Sequence, residues 1–331
     1  MTVGVLVHRD LFFSAARRRF WITAAIATMV AAAFGQPIQQ PPFNREQAAQ
    51  RTLTSVWQPR IVRDIEYAQV GNISLRLDLY LPGSEGPHPL IVWIHGGAFL
   101  GGDKARIFWT PLPNLTERGY AIASINYRLS GQATFPALVQ DAKAAIRWLR
   151  ANAGKYRIKA DRIVVGGESA GGYLSAMLGT TGDVAALEDL TMGNPKESSR
   201  VQGVVDFFGP SDFLQMDAGA PRPCEKPQVH NVPQSPESRL LGCSLQTCPE
   251  KVRMANPITY VSKEDPPFLI LHGTGDCLVA PNQSQLLYDA LRTAGVRADL
   301  HLLPDLAHAD KLFLTDDNEK LVNAFLESVL K

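Results

Sequence analysis

The chain is predicted to fold as an α/β protein, a mostly parallel sheet flanked by helices, and three observations predict it. From residue 61 onward, apolar runs of strand length alternate with helical stretches. Most of those runs are continuously apolar, as strands covered on both faces are. The 331 residues, 45% hydrophobic and 20% charged, suffice for one large domain with a sizeable core, which excludes a disordered or fibrous chain.

The first two strands, 61–69 and 73–81, flank the turn Val70-Gly71-Asn72 and read as an antiparallel pair. Buried strands are expected at 90–94, 120–125, 163–165, 201–208 and 268–271, and an alternating one at 298–303. The clearest helix covers 136–153, where Leu138, Ala142, Ala145, Ile146 and Leu149 recur at helical spacing between Pro136 and Gly154. Others are expected after Ser169 and over 283–293 and 318–330. Residues 209–267 break the rhythm, holding ten of the 23 prolines and three of the four cysteines. So long a connection reads as a lid or cap inserted in the sheet scaffold.

Residues 1–35 read as a signal peptide, with Arg17-Arg18-Arg19 ahead of an apolar run over 20–34 and small residues Ala31-Ala32-Ala33 before a cleavage point after Gly35. The run falls short of the roughly 20 apolar residues of a membrane-crossing helix. Cleavage would therefore leave no stable membrane anchor and a secreted or periplasmic protein. Arg17-Arg18-Arg19-Phe20-Trp21 also resembles a twin-arginine export motif. Residues 36–60, with Pro37, Pro41, Pro42 and Pro59, read as a linker into a domain over 61–331. The 33 basic and 32 acidic residues give a formal charge of +1, which becomes −2 without the leader. That balance gives no electrostatic reason for a nucleic acid or anionic membrane partner, and fits small neutral substrates better.

Gly167-Glu168-Ser169-Ala170-Gly171 stands directly after a strand and directly before a small-residue helix, the context a nucleophile elbow requires. The turn is so sharp that a Cβ at 167 or 171 would clash, and it presents the Ser169 hydroxyl in a strained backbone. Upstream, His95-Gly96-Gly97-Ala98-Phe99 ends the strand over 90–94. The amides of Gly97 and Ala98, with that of Ala170 at the elbow, are candidate donors to an oxyanion, each worth about 3 kcal/mol. His95 is read as orienting this loop. Phe99 is the aromatic expected to face substrate, whereas Trp93, Trp109 and Phe207 fit the core.

A serine nucleophile needs a base, itself oriented by an acid. Asp276, in the turn after the strand over 268–271, supplies the acid. His308, in the loop after the last strand, is the preferred base because it lies at the same end of the sheet. His272 is the second candidate. The chain order Ser, Asp, His is that of the α/β-hydrolase arrangement.

These motifs, with Gly102-Asp103-Lys104, Asn126-Tyr127-Arg128-Leu129-Ser130, Phe135-Pro136, Asp141, Arg147-Trp148-Leu149-Arg150 and the turn 272–276, make the chain resemble the α/β-hydrolase superfamily. Within it the chain is similar to secreted bacterial carboxylesterases related to hormone-sensitive lipase and feruloyl-esterase-type enzymes. The resemblance runs from about residue 61 onward. It implies an ester hydrolase that forms an acyl-enzyme on Ser169, acts on a small-molecule ester and uses no cofactor or metal. Two departures stand out: Ala98 where many relatives carry Gly, and Ala309 after His308 where many have Gly. A peptidase or amidase on the same fold and a non-catalytic binding protein remain the alternatives. The oligomeric state is open.

Cys224, Cys243, Cys248 and Cys277 permit three pairings in an exported chain, and spacing alone does not choose. Joining Cys277 to Cys224 would fasten the insertion to the Asp276 turn and leave Cys243 and Cys248 to close a short loop. A zinc site is the weaker competitor, for want of ligand spacing.

Overall fold

A computed structural model of the chain describes residues 59–109, 113–221, 223–224 and 227–330. The predicted signal peptide and nearly all of the linker lie outside the described residues, as does the Trp109 side chain. Eight strands follow in chain order: β1 (Arg60–Val70), β2 (Ile73–Leu81), β3 (His88–Ile94), β4 (Ala121–Ile125), β5 (Ile158–Glu168), β6 (Gly203–Phe207), β7 (Phe268–Gly273) and β8 (Ala298–Leu303). The main helices are α1 (Ala137–Ala151), α2 (Ala170–Thr180), α3 (Pro236–Leu241), α4 (Pro249–Ala255), α5 (Asn282–Thr293) and α6 (Asp316–Leu330).

The strands form one sheet in the order β1-β2-β4-β3-β5-β6-β7-β8. β1 pairs antiparallel with β2, and β2 with β4, while every pair from β4 through β3 to β8 is parallel. Period-two alternation divides the core. Ile163, Val165, Val204 and Ile270 pack with α1, α2 and α5 on one face. Val164, Val205, Leu269 and Trp93 pack with α6 on the other. Both faces being covered explains why these strands read as unbroken apolar runs.

The expected helix over 136–153 ends at Ala151, followed by a single turn over Ala153–Tyr156 that Arg157 closes in the left-handed region at φ 58°. The described residues of 209–267 contribute no strand; they contain α3, α4 and short 3-10 turns between β6 and β7. Among the described residues no helix is long and apolar enough to cross a membrane.

Two buried ionic groups stiffen the α1 face. The Arg128 guanidinium donates to both carboxylate oxygens of Asp141, at 2.6 Å to Oδ1 and 2.9 Å to Oδ2, and the Arg128 amide adds 2.8 Å to Oδ2. Lys143 donates to Thr181 O at 2.6 Å and to Glu188 Oε1 at 3.0 Å, and Arg147 reaches the other oxygen of Glu188. Arg147 thus belongs to a different network from Asp141: Arg128 pairs with Asp141, and Lys143 and Arg147 share Glu188.

α2 meets the sheet at backbone distance. A Cβ built on Gly171 would stand 2.0 Å from Ile94 O, and one on Gly167 would stand 2.5 Å from the same oxygen. No side-chain rotation relieves such a clash, because the opposing atoms are backbone. Gly171→Ala should therefore destabilise the protein by about 3 kcal/mol or more. Thermal unfolding checks it, and an unchanged melting temperature would contradict the packing described.

Candidate active site

The elbow grows out of the β5-to-α2 turn. Ser169 has φ 54° and ψ −117°, a conformation costly for a side-chain-bearing residue, and it is held by its amide donating to Phe207 O at 2.9 Å. The next residues open α2, so Ser169 stands directly at its N-terminus. On the neighbouring strand, paired in register Ile94 with Gly167, the chain leaves β3 into the 95–102 loop. Gly97 at φ 126° sits where a Cβ would come 2.1 Å from Gly101 O, and its carbonyl accepts from Leu100 N and Gly101 N at 3.0 and 3.1 Å. The amides of Gly97 and Ala98 have no hydrogen-bond partner among the described residues. They are free to meet an anion.

His95 does orient this loop. Its Nδ1 donates to Gly96 O at 2.9 Å, its ring stacks on Tyr127 at 4.5 Å, and Tyr127 Oη donates to His95 O at 2.9 Å. Burial holds its pKa below the ordinary histidine value. Ala98 and the residue after His308, Ala309, lie at φ 54° and 55°, the left-handed region that favours glycine. Alanine at each costs about 1 kcal/mol relative to a relaxed backbone. Phe99, expected at the substrate, is instead 2% exposed and packs edge-on against Tyr173 and Phe213. Its ring props the loop from inside.

The loops after β7 and β8 are stitched together: Thr274 N donates to Leu303 O at 2.9 Å, Gly275 N to Leu306 O at 3.0 Å and Asp305 N to Thr274 Oγ1 at 2.8 Å. This brings Asp276 beside His308. His308 Nδ1 lies 2.6 Å from Asp276 Oδ2, and its Nε2 lies 3.0 Å from Ser169 Oγ. Asp276 Oδ1 accepts from the amides of Leu278 and Val279 at 2.8 and 2.9 Å. Burial opposes its charge, but the His272 and His308 imidazoles outweigh burial and hold the carboxyl well below the usual carboxylate range. His272, the second candidate base, is wholly buried with both ring nitrogens engaged, at 2.7 Å to Ser284 Oγ and 2.8 Å to Val279 O.

Cys224 and Cys277 stand at bonding distance, Sγ to Sγ 2.14 Å, as do Cys243 and Cys248 at 2.09 Å. The first pair ties the 209–267 segment to the residue after Asp276. Gln228 N donates to Cys277 O at 3.1 Å, and His230 Nε2 donates to Leu278 O at 2.9 Å. Sequence alone did not expose this second and third tie, since nothing local pairs residue 230 with 278.

Comparison with known proteins fits this geometry. The model of the family described as BD-FAE matches residues 77–291. The chain belongs to the BD-FAE family. This BD-FAE protein is 31% identical to a carbohydrate esterase from gut microbiota, solved in truncated form, over 81% of this chain and 95% of that one, with a TM-score of 0.73. It is 34% identical to a bifunctional GH43-CE protein of Bacteroides eggerthii over 82% of this chain and 38% of that one, again with a TM-score of 0.73. A protein named probable carboxylic ester hydrolase LipM, from Mycobacterium tuberculosis, is 31% identical over 74% of this chain and 55% of its own length. The chain spans about half the length of the curated relatives it matches. Its fold is that of the α/β-hydrolases.

One buried acid near the BD-FAE site was not singled out from the sequence. Asp206, next to the last residue of β6, accepts from Gly209 N at 2.9 Å through Oδ1, while Oδ2 has no partner among the described residues. Burial pushes its pKa up to about 6, against a smaller opposing effect of the Gly209 amide. In the unfolded chain the carboxyl ionises near 4. Between those two pH values the native state holds the extra proton, so stability falls as pH rises through the window, by about 3 kcal/mol in all. Asp206→Asn cannot ionise and should escape that fall. Denaturant melts from pH 4 to 7 should show the variant gaining on the parent as pH rises; parallel profiles would contradict the assignment.

Proposed function

We propose that this BD-FAE family member is an exported serine carboxylic-ester hydrolase acting on small-molecule esters. The observation that carries the reading is the relay from Ser169 Oγ through His308 to Asp276, with hydrogen-bond distances of 3.0 and 2.6 Å, opposite unpartnered loop amides. The esterase names of its relatives support the same chemistry. A leader of the kind described above and two cysteine pairs at bonding distance support export.

In this mechanism His308 Nε2 takes the Ser169 proton as Oγ attacks the ester carbonyl. Asp276 stabilises the imidazolium that results, its own charge secured by two backbone amides. The oxyanion is met by the amides of Gly97, Ala98 and Ala170. His308 then protonates the departing alcohol, leaving the acyl group on Ser169. Water, deprotonated by the same imidazole, attacks the acyl-enzyme and releases the acid. The 209–267 segment is read as the cap that shapes the entrance. Carbohydrate-borne acyl esters are the substrate class to which the named structural relatives point.

Ser169→Ala and His308→Ala should each lower turnover of p-nitrophenyl butyrate by on the order of 10⁴-fold, and the double variant should be no worse than either alone. Steady-state rates of the three proteins check this; a variant that keeps near-parental turnover would refute its residue's role. A fluorophosphonate should label the parent at Ser169 and leave Ser169→Ala unlabelled. Absence of label on the folded parent would instead favour a binding protein.

A further inference from the structure

The mechanism gives no work to His272, although it is buried four residues before the acid. Its Nε2 lies 2.8 Å from Val279 O, which can only accept, so Nε2 carries the ring proton. Ser284 Oγ lies 2.7 Å from Nδ1, so both ring nitrogens are held. Val279 is also one of the two residues whose amides cradle Asp276 Oδ1, at 2.9 Å. The imidazole therefore grips the carbonyl of a residue whose amide grips the carboxylate. Its Nε2 additionally stands 3.3 Å from Asp276 Oδ2, the oxygen that meets His308 at 2.6 Å.

We infer that His272 is a positioning residue for Asp276: through Val279 it locks the 276–279 turn so that Oδ1 is filled by backbone amides and Oδ2 is left aimed at His308. The inference rests on the proposed esterase reading and deepens it. The charged groups near the ring are Asp276 and, from β6, Asp206. His308 faces Asp276, Ser169 and the Phe208 ring at 4.7 Å. Loosening the turn weakens the carboxylate's hold on the His308 imidazolium, which then loses its proton at lower pH.

The test uses the full chain with p-nitrophenyl butyrate, comparing parent, His272→Phe, His272→Gln and Ser284→Ala. Gln keeps an N–H near the Nε2 position; Phe keeps the bulk and loses the donor. His272→Phe should lose tenfold or more in kcat with KM within twofold. The acid limb of its kcat/KM profile, which reports His308 in the free enzyme, should move down by half a pH unit or more. His272→Gln should restore the limb and most of kcat, and Ser284→Ala should shift the limb in the same direction by less. An acid limb that stays at the parental position in folded His272→Phe, whatever its rate, would reduce His272 to a packing role and overturn the inference. Should His272→Phe not fold, a Ser284→Ala limb coincident with the parent's does the same. Fluorophosphonate labelling of the parent separates the two readings: with label and no limb shift only the role of His272 fails, and with no label the esterase reading fails as well.

Discussion

The arrangement of the site depends on one backbone oxygen, the carbonyl of Ile94 at the end of β3. α2 leaves the β5 turn so close to it that positions 167 and 171 must be glycine. This contact fixes Ser169 and the opening amides of α2 against the last residue of β3. The next residues of β3's own chain form the 95–102 loop, so the proposed nucleophile and oxyanion donors are built outward from a shared reference point on paired strands. Neither depends on a long flexible side chain for its position, as electrostatic preorganisation requires.

The proposed acid and base, Asp276 and His308, are referred to that point indirectly, across the strands beyond β5. β6 and β7 continue the parallel register, and the loops after β7 and β8 interlock where a Cβ on Gly273 would come 2.1 Å from Leu306 O. The carboxylate and imidazole thus meet through backbone crossings of neighbouring loops, while Phe208, the residue after β6, packs edge-on against the His308 ring. Such construction tolerates change at the surface. It tolerates little at the few backbone-to-backbone approaches.

Those approaches explain what was legible in the sequence. The elbow announces itself because its glycines are demanded by steric contact within a few residues, and the buried strands because both their faces are covered. β5 shows where local pattern fails: its first half, Ile158-Lys159-Ala160-Asp161-Arg162, is too polar to read as strand, and it is extended because His88 pairs with Ile158 across a bulge. The Lys143–Arg147–Glu188 group was invisible because its carboxylate lies about forty residues from its cations. Phe99 was misplaced for a related reason. Its position beside the oxyanion loop suggested the pocket, but at φ 63° the backbone turns the ring inward, toward partners from α2 and the 209–267 segment.

Phe99 also shows how the described residues of that proline-rich segment are held. Its Phe213 packs on both Phe99 of the oxyanion loop and Tyr173 of α2. Tyr173 Oη donates to Ala255 O at 2.8 Å, and Ser211 Oγ donates to Gln283 O at 2.6 Å, seating the segment on α2 and α5. At its middle, Cys224 and His230 hold the residues that follow the acid. His230 donates from both ring nitrogens, to Glu237 and to Leu278 O, which calls for the imidazolium; burial opposes that charge, and the Glu237 carboxylate overrides it. Each tie reaches a different part of the proposed site: the 95–102 loop, α2 and the turn at Asp276. A segment fastened at all three cannot shift as a body without disturbing the 95–102 loop, α2 or the 276–279 turn.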